Sequence, residues 1–510
     1  MSERLKKYQN QLKQLQDRGE KKMADEVIII PEEAKILDIL LHERKMARFP
    51  EQEENAIEML IEFVNELQDF TGTTKDLGII SFLTQRIAEI DELLCNQINE
   101  ILHHPDFQKL EGSWRGLNYF VMNTETSTRL KIRLMNASMK DVRDDLTKAI
   151  EFDQSALFKK IYEEEYGTFG GSPYSCLIGD YSFTNHPQDI QLLEHISGLA
   201  AAAHTPFISA VSPLFFNLDK FEDMPLPRDL AKIFESPDYI KWNSFRNTED
   251  SRYVALLLPR ILMRLPYGPD TLPVVEFNFK ENVGVGDTNK FCWGNPAYAL
   301  GQRITDAFAK YSWTAAIRGV EGGGKVEGLP TYIFKTLEGD KVVKCPTEVA
   351  ITDRREKELS DLGFISVCYC KGSDYAVFFG GQTTQKPKIY NLDDANANAS
   401  ISARITYMLA ASRFAHYVKV LMRDKIGSFL TKENVENYLN TWLASYILLN
   451  DDAPAHIKAA YPLREGRIDV YDVPGSPGAY RSVIYLRPHF QMEELTASIR
   501  LVATLPARVG

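Results

Sequence analysis

The sequence predicts a mixed α/β (α+β) protein with a helical N-terminal arm. Between Leu77 and Leu102 apolar residues recur every three or four positions, which predicts a long amphipathic helix. Farther on, residues 166–183 end in a predicted strand, 187–204 form a predicted helix and 206–211 a second strand. Strands that alternate with helices are typical of an α/β layer with a partly parallel sheet.

The length favours several domains. A chain of 510 residues is expected to hold two to four, at roughly 100–200 residues each. We divide it into an N-terminal arm at 1–76, an α/β region at 77–345 and a C-terminal region at 346–510. The arm is predicted to carry helices at 32–48 and 52–70.

A short strand is predicted in the arm, where four β-branched residues lie between an acidic pair and Pro31. They are Val27, Ile28, Ile29 and Ile30. No neighbouring segment offers a pairing partner. The strand could dock on the core of its own chain, or it could be donated to another subunit.

Local patterns predict the remaining elements. They are strands at 119–122 and 129–135, helices at 140–150, 154–164 and 303–317, a run of strands from 344 to 379, helices at 398–423 and 432–449, and strands within 461–506.

Composition excludes several classes of protein. The net charge of −11 argues against a dedicated nucleic-acid binder. The six cysteines show no zinc-site spacing, so reduced thiols in a cytoplasmic protein are expected, with no metal and no cofactor. The most apolar run, 254–263, is interrupted by Pro259 and Arg260 and is too short to insert into a membrane.

A glycine-rich loop at 317–330 is the main candidate for chemistry. Gly319, Gly324 and Lys325 fit the spacing Gly-x-x-x-x-Gly-Lys of a phosphate loop, but Val326 stands where a magnesium-binding Ser or Thr is needed. A phosphate loop opens a helix, whereas here a predicted helix runs into the loop. We interpret it as a structural turn; the alternative is a nucleotide-binding enzyme that uses 319–326. Residues that define the turn are Gly319, Gly322, Gly323, Gly324, Gly328 and Pro330.

No catalytic residue is predicted elsewhere. The chain contains neither Gly-x-Ser-x-Gly nor His-Glu-x-x-His. His204 follows an alanine run at a predicted helix C-terminus, and His416 lies on an amphipathic helix, where a buried histidine is common. Asp180 is a lone carboxylate near a strand end. The chain is therefore expected not to be an enzyme.

Many motifs of the chain occur together in one known family. They are LEGSWRGL at 110–117, residues 166–183, AAAAHTPF at 200–207, SRYVALLLPRILMRLPYG at 251–268, WGN at 293–295, the loop at 317–330, KCPTEV at 344–349, DLGF at 361–364, and residues 474–480. In order and spacing they closely resemble the large subunit of the type VI secretion contractile sheath, over about residues 105–506. The glycine-rich loop then becomes a signature turn of that family.

The resemblance implies a structural protein. A family member pairs with a small sheath subunit, and the heterodimers stack as sixfold rings into a helical polymer around an inner tube protein. Contraction drives the tube outward, the sheath meets a baseplate, and an AAA+ ATPase recycles the contracted form. The C-terminal region would complete an inner domain like that of phage tail sheaths, and residues 27–30 would be an inter-subunit strand. A phage-type tail sheath protein that works alone is a further alternative.

Overall fold

The structure is a computed structural model that describes residues 46, 49, 52–70, 77–149, 151–275, 277–284, 286–335, 339, 341–428, 431–475, 479–489 and 491. The chain divides into two compact units, Met1–Ile98 and Asn99–Gly510. Helix α1 (Glu53–Phe70) lies in the first unit, and α2 (Leu77–Leu102) confirms the long predicted helix. The predicted strand at 27–30 lies outside the described residues, as does nearly all of the predicted 32–48 helix.

Helix α3 (Pro105–Met122) opens the second unit and replaces the strand expected at 119–122. His104 caps it, because its imidazole Nδ1 accepts from the Asp106 amide, and Pro105 fixes the first turn. This start signal and the burial of Gly112, Gly116 and Phe120 on one helical face outweigh the local strand propensity. The strand expected at 129–135 is also absent, since that segment forms neither helix nor strand.

Two further helical segments precede the sheet. Helix α4 (Met139–Lys148) starts at a capping box in which Ser138 and Asp141 bind each other's backbone amides. Helix α5 (Ala156–Phe158) continues as a π-helix over Lys159–Gly167, so the helical prediction for 154–164 holds with a looser winding.

The central sheet has six strands in the order β1-β2-β3-β9-β10-β6. Its first four strands run parallel: β1 (Leu177–Phe183), β2 (Phe207–Val211), β3 (Val254–Leu258) and β9 (Phe364–Tyr369). The last two pairings, of β9 with β10 (Ala376–Phe378) and of β10 with β6 (Lys325–Val326), are antiparallel. The predicted α/β class is confirmed, and the sheet continues across residue 345, where the sequence suggested a boundary.

Both faces of the sheet are buried in separate cores. Along β3, Val254, Leu256 and Leu258 face a core with α6 (Pro187–Ala203), whereas Ala255 and Leu257 face one with α8 (Pro296–Tyr311). Side chains alternate across a strand, so a strand covered on both sides must be apolar throughout. This accounts for the run VALLL.

A third core lies under a C-terminal hairpin. Strands β11 (Leu463–Asp472) and β12 (Tyr480–Pro488) pair in antiparallel and cover α12 (Lys432–Ala444). Helix α11 (Ile405–Asp424) contributes Phe414 and Val418 to this core, and Ile405 and Leu409 to the α8 core. The strands predicted within 461–506 are thereby confirmed as far as residue 488.

Three other predictions need correction. Helix α8 ends at Tyr311, because Ser312 adopts a left-handed conformation (φ 62°), so no helix runs into the glycine-rich loop. Helix α9 (Asp353–Asp361) interrupts the predicted strands of 344–379. The helix predicted at 398–423 is two helices, α10 (Asp393–Ser402) and α11. They are separated at Ala403, because the amide and the hydroxyl of Thr383 both donate to the Ala403 carbonyl.

The remaining elements are short: α7 (Ile240–Arg246), α13 (Ala455–Ala460), and the two-stranded pairs β4 (Ile261–Arg264) with β5 (Cys292–Gly294) and β7 (Ile333–Lys335) with β8 (Lys341–Val343).

Candidate functional site

Strand pairing and backbone hydrogen bonds join the glycine-rich loop to the edge of the central sheet. Val326 pairs with Ala376 and Lys325 with Val377, so the last residues of the apparent phosphate motif form strand β6. The Gly319 amide donates to the Phe378 carbonyl at 2.8 Å, and the Phe378 amide donates to the Gly324 carbonyl at 3.0 Å. The Gly324 amide in turn reaches the Gly319 carbonyl at 2.8 Å. The amides of Gly319 and Gly324 are therefore already used inside the chain.

Two kinds of constraint explain the glycines. Gly319, Gly323 and Gly328 have φ of 71°, 87° and 71°, a region that L-residues with a Cβ rarely adopt. Gly322 and Gly324 face crowding instead: a Cβ on Gly322 would lie 2.2 Å from the Arg318 carbonyl oxygen, and one on Gly324 2.7 Å from the Phe378 oxygen. The backbone path of the loop thus requires glycine for reasons unrelated to ligand binding.

Lys325 is engaged on the protein surface. Its Nζ lies 2.6 Å from Glu327 Oε1 and 4.2 Å from the centre of the Tyr375 ring. The hydrogen bond that Lys325 donates to Glu327 raises the pKa of Lys325. The neighbouring Val326 is fully buried in the α8 core. Lys325 is thus a strand residue whose ammonium group is paired at the surface.

Glycines of the LEGSWRGL motif bring helix α3 against the WGN motif. A Cβ on Gly112 would lie 2.3 Å from the Trp293 carbonyl oxygen, and one on Gly116 2.5 Å from Cδ2 of Tyr298. Asn295 caps α8 through Oδ1, which accepts from the Ala297 amide at 2.9 Å. Its Nδ2 donates to carbonyls of β1, including that of Tyr181 at 3.2 Å. Two separated motifs therefore meet and fix the position of α8 on the sheet.

A buried ion network joins helix α3 to strand β4. Arg264 Nε lies 2.6 Å from Glu111 Oε1, and its Nη1 lies 2.6 Å from Glu281 Oε2. The Tyr267 amide and the His103 imidazole also contact Glu281, at 2.8 and 3.3 Å. Burial opposes ionisation of Glu111, but hydrogen bonds from Arg264 prevail and lower its pKa. Interactions with both carboxylates outweigh burial and raise the pKa of Arg264.

Two other arginines join motifs that are distant in sequence. Arg260 forms a bidentate pair with Glu348 of KCPTEV, with Nε at 2.8 Å from Oε2 and Nη2 at 2.6 Å from Oε1. Arg246, which is 5% exposed, donates to the carbonyls of Thr384 and Asp361. Burial lowers the pKa of Arg246 to about 10. The charged guanidinium of Arg246 is thus stabilised by two carbonyl dipoles, that of Thr384 and that of Asp361, the last residue of α9.

The two histidines singled out in the sequence lie together. His204 lies at the C-terminus of α6, as the sequence predicted, and caps it in a left-handed conformation (φ 52°). Its Nδ1 lies 3.1 Å from the Tyr253 hydroxyl. His416 is 2% exposed, and its Nε2 lies 2.8 Å from the Ala203 carbonyl oxygen. Burial lowers the pKa of His416 to about 4. The two imidazole rings, with centroids 6.4 Å apart, both pack against the ring of Tyr166.

The sequence identified the loop but missed the ion network. Glu111 and Arg264 stood inside quoted motifs, yet nothing in the sequence relates positions 153 apart. Glu281 belongs to none of the family motifs.

Asp180 lies inside β1 and not at its end. Burial raises the pKa of the nearby Tyr298 hydroxyl, and the charge of Asp180 and its hydrogen bond with that hydroxyl raise it further.

Two other kinds of functional feature are absent from the described part of the chain. Within it, no group of His, Cys, Asp or Glu residues has the arrangement of a metal site. No described helix is both long enough and apolar enough to cross a membrane.

Comparison with known proteins gives consistent matches. A family model described as "EvpB/VC_A0108, tail sheath N-terminal domain" matches residues 84–385, and one described as "EvpB/VC_A0108, tail sheath gpW/gp25-like domain" matches 394–505. The "Type VI secretion system sheath protein TssC1" of Pseudomonas aeruginosa is 46% identical over 469 residues, which cover 91% of this chain and 93% of that protein.

Solved structures give weaker likenesses. An anti-feeding prophage baseplate structure matches 62% of this chain and 66% of its own at 11% identity, with a TM-score of 0.33. A contracted sheath complex of an extracellular contractile injection system matches 61% and 68% at 8% identity, also with a TM-score of 0.33. Likenesses at this level are too distant to describe the fold further.

Proposed function

The chain belongs to the EvpB/VC_A0108 family of tail sheath proteins, and we propose that it pairs with a small sheath subunit to build the contractile sheath of a type VI secretion system. It is a structural subunit of such a sheath. The observation that carries this conclusion is the 46% identity to a sheath protein across 91% of the chain. In this proposal the sheath forms in the cytoplasm, surrounds an inner tube, meets a baseplate and is recycled by an AAA+ ATPase.

The arrangement of the signature motifs supports a purely structural role. The glycines of 110–117 and of 317–330 are used for close backbone contacts, and Arg246, Arg260 and Arg264 bind carboxylates or carbonyls of the same chain. Arginine side chains engaged in this way stabilise the fold of the chain, and their guanidinium groups are not free for catalysis. We therefore propose that the chain has no enzymatic activity.

A nucleotide titration tests the absence of nucleotide chemistry. Purified protein with a fluorescent ATP analogue and Mg²⁺ is expected to show no saturable signal. Saturable binding that depends on Mg²⁺ and is lost in Lys325→Ala would favour an enzyme that uses 319–326.

For contraction, the proposal requires subunits that stay connected while they move. A strand donated in trans is held by main-chain hydrogen bonds, each worth a net ~0.5–1.5 kcal/mol, so a few of them tie neighbours without a large apolar face. Rigid bodies joined by such tethers can rotate between two packings. The extended sheath would then store free energy in subunit contacts, and Val27, Ile28, Ile29 and Ile30 are the tether that we propose.

Co-expression with a small sheath subunit, followed by electron microscopy, tests the assembly. Long tubules are expected only when both proteins are present; tubules of this chain alone would indicate a self-sufficient phage-type sheath.

The double variant Val27→Pro with Ile29→Pro is expected to keep the heterodimer but to abolish long tubules, because proline removes the backbone N–H donors at these two positions. Thr at both positions retains them and is the matched control. Normal sheaths from the proline variant would refute the tether.

A further inference from the structure

One segment of the chain has the sequence of a β-strand but no strand partner. Between α3 and α4, the apolar residues Leu130, Ile132 and Leu134 alternate with Arg129, Lys131 and Arg133. This period of two is typical of a strand with one apolar and one basic face. In the structure the segment runs from 130 to 138 without a turn, and it belongs to none of the sheets.

The backbone of this segment is unused. Among the described residues, no backbone hydrogen bond involves positions 131–136; the nearest links the Ser127 amide to the Leu130 carbonyl at 2.9 Å. Leu134 and Met135 are 68% and 50% exposed. An extended segment with open amides, open carbonyls and bare apolar side chains is a template for another strand.

Side chains nevertheless hold the segment in place. Arg133 forms an ion pair with Glu165 of the π-helix and donates to the Tyr174 hydroxyl at 3.2 Å. At its end, the Tyr181 hydroxyl donates to the Ala137 carbonyl at 2.8 Å, and the Ser138 capping box follows. The segment is therefore anchored through β1 and the π-helix while its backbone remains open, so an incoming strand would meet an edge that is already positioned.

We propose that residues 130–135 receive a β-strand from a different polypeptide, in which apolar and acidic side chains alternate. This inference rests on the proposed function, since it assigns one contact of the assembled sheath. Six residues of strand span about 20 Å, an ordinary length for a paired strand. Specificity comes from the side chains: a carboxylate directly opposite Lys131 is a favourable cross-strand partner, whereas a basic residue there repels.

Amide hydrogen exchange compares the isolated chain with the assembled sheath. The amides of 131–136 are expected to exchange at nearly the rates of a free peptide in the isolated chain, and at least tenfold more slowly in the sheath. Amides of β3, which is paired in both states, give the internal reference.

Carbodiimide cross-linking of the sheath identifies the partner, because this reagent joins an amine to a carboxylate in contact with it. Lys131 is expected to link to an Asp or Glu of a different polypeptide, within a stretch that alternates acidic and apolar residues. Lys131→Glu is expected to lower sheath yield, whereas Lys160→Glu, another exposed lysine outside the segment, is not.

The outcomes separate the two proposals. Assembled sheaths in which 131–136 exchange at unchanged rates would overturn this inference and leave the proposed function intact. So would a Lys131 cross-link to a second copy of this chain, or to a stretch without alternation. If no sheath formed under any condition, the proposed function would fail and this inference with it.

Discussion

Arg264 and Glu281 form an ion pair that is almost completely withdrawn from water, with side chains only 3% and 1% exposed and 2.6 Å between Nη1 and Oε2. Glu111, on helix α3, completes the group from the other side of the guanidinium. One arginine thus binds two carboxylates, of which Glu111 is also paired with Arg115, at 2.7 Å. A buried pair of this kind gives weak evidence for net stability, but removal of one partner leaves charge stranded in the interior.

The first prediction concerns this arginine. Arg264→Met keeps most of the side-chain volume but leaves the buried Glu281 without its arginine, and Glu111 with Arg115 alone. We expect a loss of about 3–5 kcal/mol in the free energy of unfolding, measured by urea denaturation followed by circular dichroism. Arg354→Met removes an exposed partner of Glu358 and is the control, with an expected loss of about 0–1 kcal/mol. Equal effects of the two substitutions would contradict the network.

The second prediction concerns the contact between α3 and the WGN motif. Gly112→Ala places a methyl group 2.3 Å from the Trp293 oxygen, so the helix must move. Overpacking of this kind costs about 1–3 kcal/mol. Gly198→Ala, in helix α6, has no atom within 4 Å of the new methyl and is expected to raise the free energy of unfolding by about 0.5–1 kcal/mol. Thermal unfolding midpoints should shift in opposite directions.

A third prediction tests the glycine-rich loop. Gly323→Ala combines a left-handed backbone (φ 87°) with a methyl 2.2 Å from the Ala316 oxygen. Gly328→Ala has only the backbone penalty, about 1–2 kcal/mol, because its surroundings are open. The Gly323 variant is expected to be the less stable of the two and to speed amide exchange at Phe378, whose amide bonds to the loop. Similar exchange at Phe378 in both variants would argue against this role of the loop.

The fourth prediction is a pH dependence that arises from His416. Burial lowers its pKa in the folded chain to about 4, below the usual 6.5. The unfolded chain therefore binds more protons between these values, and stability falls as the pH drops from about 6.5 to about 4. The slope from one group is at most about 1.4 kcal/mol per pH unit. His416→Gln does not titrate, so denaturation midpoints measured from pH 7 to 4.5 should fall less steeply. Parallel curves for the two proteins would refute this assignment.

Sequence reasoning succeeded where one periodic signal governs an element. Helix α2 follows from the spacing of its apolar residues, and the β1–α6–β2 unit follows from the predicted alternation of strand, helix and strand. It failed at 119–122, where local strand propensity yields to a helix started fifteen residues earlier at His104. It also missed the partnership of Arg264 with Glu281, because burial and distance are properties of the fold. The structural turn at 317–330 remains a prediction, and the helix expected to run into it ends early, at Tyr311.

The prediction of a strand at 129–135 failed in an informative way. The period of two is present in the sequence, but no strand within the described chain pairs with the segment. Sequence patterns report what a segment is suited to pair with, whereas the structure of one chain reports only the partners that this chain supplies.

Helix α11 gives the protein a mechanical connection. Ile405 is anchored under the sheet and Val418 under the C-terminal hairpin, thirteen residues or about 20 Å apart along one rod. A helix cannot lengthen without breaking its own hydrogen bonds, so a displacement imposed on the hairpin is passed to the sheet with little loss. Pulling experiments on this chain should therefore find one stiff element from the sheet to the hairpin, and yielding elsewhere first.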